Sequence, residues 1–105
     1  MKRIKYLPIN FFKGVFFGVR VEGESAWPYL IPGKEYIASR FFSVKTGDFI
    51  VFRNPRNSEG IYVKRVIEKK GESYRAGSTV SWGSSSKDFG LIAKQHILGK
   101  LLFVG

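Results

Sequence analysis

The run Phe49-Ile50-Val51-Phe52 constrains this chain more than any other segment. It is too short for a helix, is built from strong strand formers, and lies between the turn Lys45-Thr46-Gly47-Asp48 and Asn54-Pro55. It reads as a central strand. Similar short segments recur along the sequence. Val15 to Glu22 puts Val19 and Val21 on one face and Arg20 and Glu22 on the other. Glu35 to Arg40, Ile61 to Ile67, Val80-Ser81-Trp82 and Lys100 to Val104 read as further strands. Between them, Pro28, Pro32 and Gly33 punctuate a loop, and Asn54 to Gly60 reads as a polar connection. Lys69-Lys70-Gly71-Glu72 is a turn into a short hairpin through Tyr74, and Gly83 to Gly90 is a loop. Ala93 to Leu98 is expected to form one helical turn. The expected fold is all-β, with one domain over residues 1–105 and residues 1–18 as an amino-terminal segment.

Composition narrows the function classes. Ten Phe, five Tyr and two Trp in 105 residues, with 44% apolar residues, exclude a disordered chain. Eighteen Lys and Arg against eight Asp and Glu give a formal charge of +10, spread from Lys2 to Lys100. Such a surface attracts anionic lipid, nucleic acid or acidic protein without choosing among them. An anionic membrane surface is carried forward as a partner; nucleic acid is not expected. The absence of cysteine excludes disulfides, thiolate catalysis and cysteine-ligated zinc. His96 is the only histidine and is read as structural, so neither a metal nor a cofactor is expected. Residues 4–19 are interrupted by Lys5, Pro8, Asn10 and Lys13, and are expected to form neither a spanning helix nor a secretory signal. The aromatic stretch Phe11 to Phe17 is expected to complete the core rather than dip into a membrane interface.

Ser25 and Lys64 carry the functional signal. A serine hydroxyl needs a neighbouring base, and a lysine can act as that base only when burial keeps its amine neutral. Ser25 lies in Gly23-Glu24-Ser25-Ala26-Trp27-Pro28, a punctuated turn, and Lys64 in the β-branched run Tyr62-Val63-Lys64-Arg65-Val66. Taken singly, a serine between Gly and Pro is commonplace in loops, and a strand lysine usually faces solvent. The ordered set is more specific. Gly23-x-Ser25-x-x-Pro28-x-Leu30, Gly47-Asp48-Phe49-Ile50-Val51-Phe52, Val63-Lys64-Arg65-Val66-Ile67, and Ser86-Lys87-x-Phe89-Gly90 with Ile97-x-Gly99-Lys100 resemble the successive boxes of the signal peptidase I family. The resemblance spans about residues 19 to 104.

That resemblance implies a catalytic core of coiled antiparallel sheets, with Ser25 as nucleophile and Lys64 as general base. It also implies the Ser25 backbone N–H as an oxyanion donor, and Ser84, Ser85 or Ser86 as the residue orienting the lysine. The chain departs from the family pattern at two places. Ala26 stands where members usually carry Met, and Ser85 and Lys87 stand where an acidic residue and an arginine are usual. Arg65, alternating with Lys64, is expected on the opposite, solvated face, and Asp48 is read as a turn residue after Gly47.

A protein or peptide substrate would add as an extended strand beside Val19 to Glu22 or beside the strand leading to Lys64. Val21, Glu22, Gly23, Ala26 and Tyr62 would then line it. The resemblance implies small residues, typically Ala, just before the cut and two positions earlier. Three other readings stay open: a self-cleaving repressor-type Ser–Lys protease, a family member retained as an inactive binding module, and a basic β-barrel that binds nucleic acid. Location is left open between a membrane-associated protein with its site outside the cytoplasm and a soluble form.

Overall fold

The computed structural model describes residues 5–11, 16–21, 27–55, 57–77 and 90–102, with the backbone alone for 5–11 and 57–59. Antiparallel strands dominate, in agreement with the all-β expectation. In chain order they are β1 (Lys5–Phe11), β2 (Phe16–Arg20), β3 (Glu35–Ser39), β4 (Phe49–Asn54), β5 (Asn57–Lys70), β6 (Ser73–Gly77), β7 (Ile92–Ala93) and β8 (Ile97–Leu101). Their spatial order is β1-β2-β3-β8-β4-β5-β6-β7, so β8 returns to fill the place between β3 and β4.

The position of β4 explains its sequence. Phe49 and Val51 join one buried cluster, with Phe17, Val19, Val21, Leu30, Ala38, Val63 and Leu101. Ile50 and Phe52 join a second cluster, with Val66, Tyr74, Ala76 and Ile92. A strand covered on both faces has no solvent side, so its apolar run is continuous rather than alternating. The β2 stretch shows the opposite pattern. Phe17, Val19 and Val21 are buried while Arg20 is only half-buried and pairs with Glu35 across the strand boundary. Phe17 is thus a core residue; Phe12 to Val15 lie outside the described residues.

Two connections depend on glycine. Gly47, at φ 95°, turns the chain into β4, and Gly71, at φ 60°, opens the two-residue link that lets Lys70 pair with Ser73. Both occupy the left-handed region that glycine enters without a Cβ penalty. Gly99 answers a different need. A Cβ there would lie 2.9 Å from the Phe17 ring and from the Ser39 carbonyl, so β8 approaches β3 and β2 only because no side chain intervenes.

Several sequence boundaries need correction. The connection expected over Asn54 to Gly60 is mostly strand: β5 begins at Asn57, which already pairs with Asn54. Backbone ladder pairing overrides the polar composition of that stretch. The helical turn expected over Ala93 to Leu98 is a short 3₁₀ turn at Lys94–His96, and Ile97 already belongs to β8 because it pairs with Phe52. β1 was not anticipated; its Lys5, Pro8 and Asn10 hid a strand that pairs with β2 through a bulge between Pro8 and Phe11. Val80-Ser81-Trp82, the loop up to Phe89, and residues 103 and 104 of the closing strand lie outside the described residues.

Candidate active site

Lys64 sits in the middle of β5, with no exposed surface. Its placement follows from register. Val51 pairs with Val63 and Ile50 with Lys64, so Val63 faces the first cluster and Lys64 shares the opposite face with Tyr62, Val66 and Ile50. Ile50 also pairs with Lys100 on β8. One transverse row therefore runs Lys64, Ile50, Lys100, two lysines separated by an apolar side chain.

The two lysines have different surroundings. Lys100 is partly exposed and donates to Asp48 Oδ2 at 3.0 Å. The same oxygen accepts from the Lys45 backbone N–H at 2.7 Å, so Asp48 is the expected turn residue and also an ion-pair partner. Lys64 is fully buried, on the face of the sheet that carries Ile50 and Val66. Arg65 alternates away from Lys64 as expected, but it is not simply solvated. Its guanidinium stacks 5.0 Å from the centre of the Tyr29 ring and 5.9 Å from that of Phe49.

Ser25, Glu22, Gly23, Ala26 and Ser84 to Ser86 lie outside the described residues. The chain on either side of residues 22–26 is described. Val21 is buried in the first cluster, its N–H bonds to the Lys34 carbonyl at 3.2 Å, and its carbonyl accepts from Gly33 N–H at 2.7 Å. Leu30 is fully buried on the other side, while Trp27, Tyr29 and Ile31 are exposed. Tyr36 Oη accepts from the Ile31 backbone N–H at 2.8 Å, which closes the loop from 27 to 36 over a cleft of about 410 Å³. Tyr62 is half-buried, its ring 6.2 Å from that of Phe52, on the face that carries Lys64.

The sequence did not disclose the pairing of Asp48 with Lys100. Those residues are 52 positions apart, and their only signal was that each belonged to a recognised box. Among the described residues no group of three or more His, Cys, Asp or Glu could hold a metal ion, and no helix is long and apolar enough to cross a membrane.

The model of the family described as signal peptidase, peptidase S26, matches residues 6–76, and the chain belongs to that family. The match takes in the segment containing Ser25, β4 and the strand bearing Lys64, and ends before the serines at 84–86. No curated protein and no solved structure matches the chain. Family membership makes this a peptidase by class, with a protein or peptide as substrate.

Proposed function

We propose that the chain is a serine endopeptidase in which Ser25 is the nucleophile and Lys64 the general base. The complete burial of Lys64 on β5 carries the reading. An ammonium taken from water into an apolar face loses solvation, which favours the neutral amine and so creates a base. Ser25 Oγ attacks the scissile carbonyl carbon as its proton passes to Lys64 Nζ, and the Ser25 N–H stabilises the oxyanion. Collapse breaks the C–N bond, and Lys64 returns the proton to the departing amine. Water then attacks the acyl-enzyme ester, giving its proton to Lys64, and the ester breaks as Ser25 regains that proton. Ser84, Ser85 or Ser86 would orient the amine.

The substrate would lie along β5. At Val19 and Arg20 both sides of β2 are already paired, to β1 and to β3, and the Val21 backbone is bonded to Gly33 and Lys34. That closure argues against strand addition beside β2; β5 is paired with β4 along this stretch, but among the described residues β6 pairs with it only from Arg65 onward, which favours the strand leading to Lys64, with Tyr62, Gly23 and Ala26 near the peptide. Small residues before the cut and two positions earlier are the proposed specificity.

The test is cleavage of peptides bearing an Ala-x-Ala site, with bulky-residue peptides as controls, read by product mass. The parent should cut the first set alone, and Ser25→Ala and Lys64→Ala should each abolish cutting, with a cooperative thermal transition showing that each variant still folds. Undiminished cleavage by Lys64→Ala would refute the proposed base. Equal cleavage of the bulky controls would refute the specificity.

A further inference from the structure

The loop that leaves β3 and the strand β8 enclose a cleft of about 260 Å³, lined by Arg40, Ser43, Lys69, Tyr74, Lys94 and Lys100 among others. Its charge is one-sided. Lys100 is engaged by Asp48, and the Lys69 ammonium lies 5.9 Å from the centre of the Tyr74 ring. Neither Arg40 nor Lys94 has an ion-pair partner among the described residues. Cations gathered around one concavity repel each other, and an anion seated among them removes that repulsion and gains charge-assisted hydrogen bonds.

The same loop carries the most exposed large apolar side chain described. Phe41 is 75% exposed and Phe42 46%, and their rings meet edge to face at 5.8 Å. The loop is anchored at its root: Phe41 N–H donates to Oγ of the fully buried Ser39 at 3.1 Å. An aromatic pair held in water on a fixed loop, directly after Arg40 and shortly before Lys45, has the make-up of an interfacial anchor.

We infer that this surface docks on anionic phospholipid, with a headgroup phosphate held among Arg40, Lys69 and Lys94 and the Phe41 and Phe42 rings set into the acyl boundary. A soluble phosphate would use the cations and leave the rings in water, whereas an uncharged apolar partner would use the rings and leave the cations unanswered. A lipid interface presents both layers at the required adjacency. The cleft is also smaller than the roughly 300–1,000 Å³ of sites for drug-sized molecules, which suits a headgroup. No step of this inference depends on Ser25 or Lys64, so it stands or falls apart from the peptidase reading.

Co-sedimentation with vesicles of phosphatidylcholine alone, and of equal parts phosphatidylglycerol and phosphatidylcholine, tests it. The parent should bind the mixed vesicles and not the neutral ones. Arg40→Gln and Lys94→Gln should each weaken binding about fivefold, the worth of one basic residue near an anionic surface. Phe41→Ser should weaken it about tenfold, and should still do so at high salt. Lys34→Gln removes the same charge at the other cleft and should leave binding unchanged. Thermal melts of all four variants check that the fold persists. Equal losses from Lys34→Gln and Arg40→Gln would overturn the inference in favour of diffuse attraction. Displacement by inorganic phosphate together with an inert Phe41→Ser would overturn it in favour of a soluble-anion site, and absence of vesicle binding would overturn it outright.

Discussion

Replacing Lys64 with Met separates a neutral buried base from a buried charge. Met keeps an unbranched side chain of similar length and removes the amine, so the apolar face around Ile50 and Val66 stays filled. In the unfolded chain a lysine titrates near 10.4 and is protonated at neutral pH. If the fully buried amine is neutral when folded, folding must release that proton. The cost is about 1.36 kcal/mol for each pH unit below the unfolded value, or roughly 4–5 kcal/mol at pH 7 and about 2 kcal/mol at pH 9. A hydrogen bond to the neutral amine offsets about 1 kcal/mol of this. Lys64→Met should therefore be more stable than the parent by about 3–4 kcal/mol at pH 7, with a gain that shrinks as pH rises. The sign follows from proton counts. The unfolded parent binds more protons, so its stability increases with pH until the unfolded lysine titrates. On lowering the pH, stability falls until the folded amine itself takes a proton, and below that point the difference is flat. Urea unfolding of both proteins from neutral to alkaline pH, with matching m-values, measures the difference. A Met variant less stable than the parent, or a difference independent of pH, would mean that the folded amine is charged and paired. Such a lysine could not serve as the base.

Other substitutions test the scaffold around that lysine. Lys100→Met leaves the Asp48 carboxylate without its partly exposed partner and should cost up to about 1 kcal/mol, an effect that high salt should diminish. It should not reproduce the gain of Lys64→Met, although the two lysines flank the same Ile50. Gly99→Ala would drive a Cβ into the Ser39 backbone and the Phe17 ring, and thermal unfolding should show a loss of about 1–3 kcal/mol. An unchanged melt would mean that β3 and β8 can separate without penalty. Phe52→Ala empties a fully buried site in the second cluster and should cost about 3–5 kcal/mol by urea denaturation.

The sequence was most legible where side-chain pattern and backbone pairing agreed. Phe49 to Phe52 could be read as central because only a strand covered on both faces tolerates an uninterrupted apolar run, and β4 is covered on both. Glu35 to Ser39 and the hairpin around Gly71 were readable from strand formers and turn chemistry. Pattern failed where ladder hydrogen bonds decide the outcome. Asn57-Ser58-Glu59-Gly60 has the composition of a loop, yet β4 supplies a partner strand whose register carries pairing out to Asn54. Ile97 and Leu98 look like the end of a helical turn, but the pairing of Ile97 with Phe52 and of Gly99 with Val51 places both in β8. Long-range pairing of this kind leaves little local trace, because the partner is dozens of residues away.

The candidate site shows the same division. That Lys64 stands in a strand was visible in Tyr62 to Val66, but strand position alone favours a solvent-facing lysine. Burial depends on which face of β5 is covered, and the register with Ile50 settles that, since Ile50 belongs to the second cluster and Lys64 must share its side. A one-residue slip would exchange Lys64 with Val63, placing the amine in the first cluster and changing the chemistry without altering composition. The β4–β5 register thus bears directly on the proposed function. The turn at Gly47 and Asp48 helps to hold it: Gly47 N–H donates to the Val66 carbonyl at 2.9 Å, and Val66 N–H to the Asp48 carbonyl at 2.8 Å. The Asp48 side chain in turn ties this end of β4 to Lys100 on β8. The box that reads locally as a turn followed by a strand therefore fixes, across three strands, which side of the sheet receives the lysine.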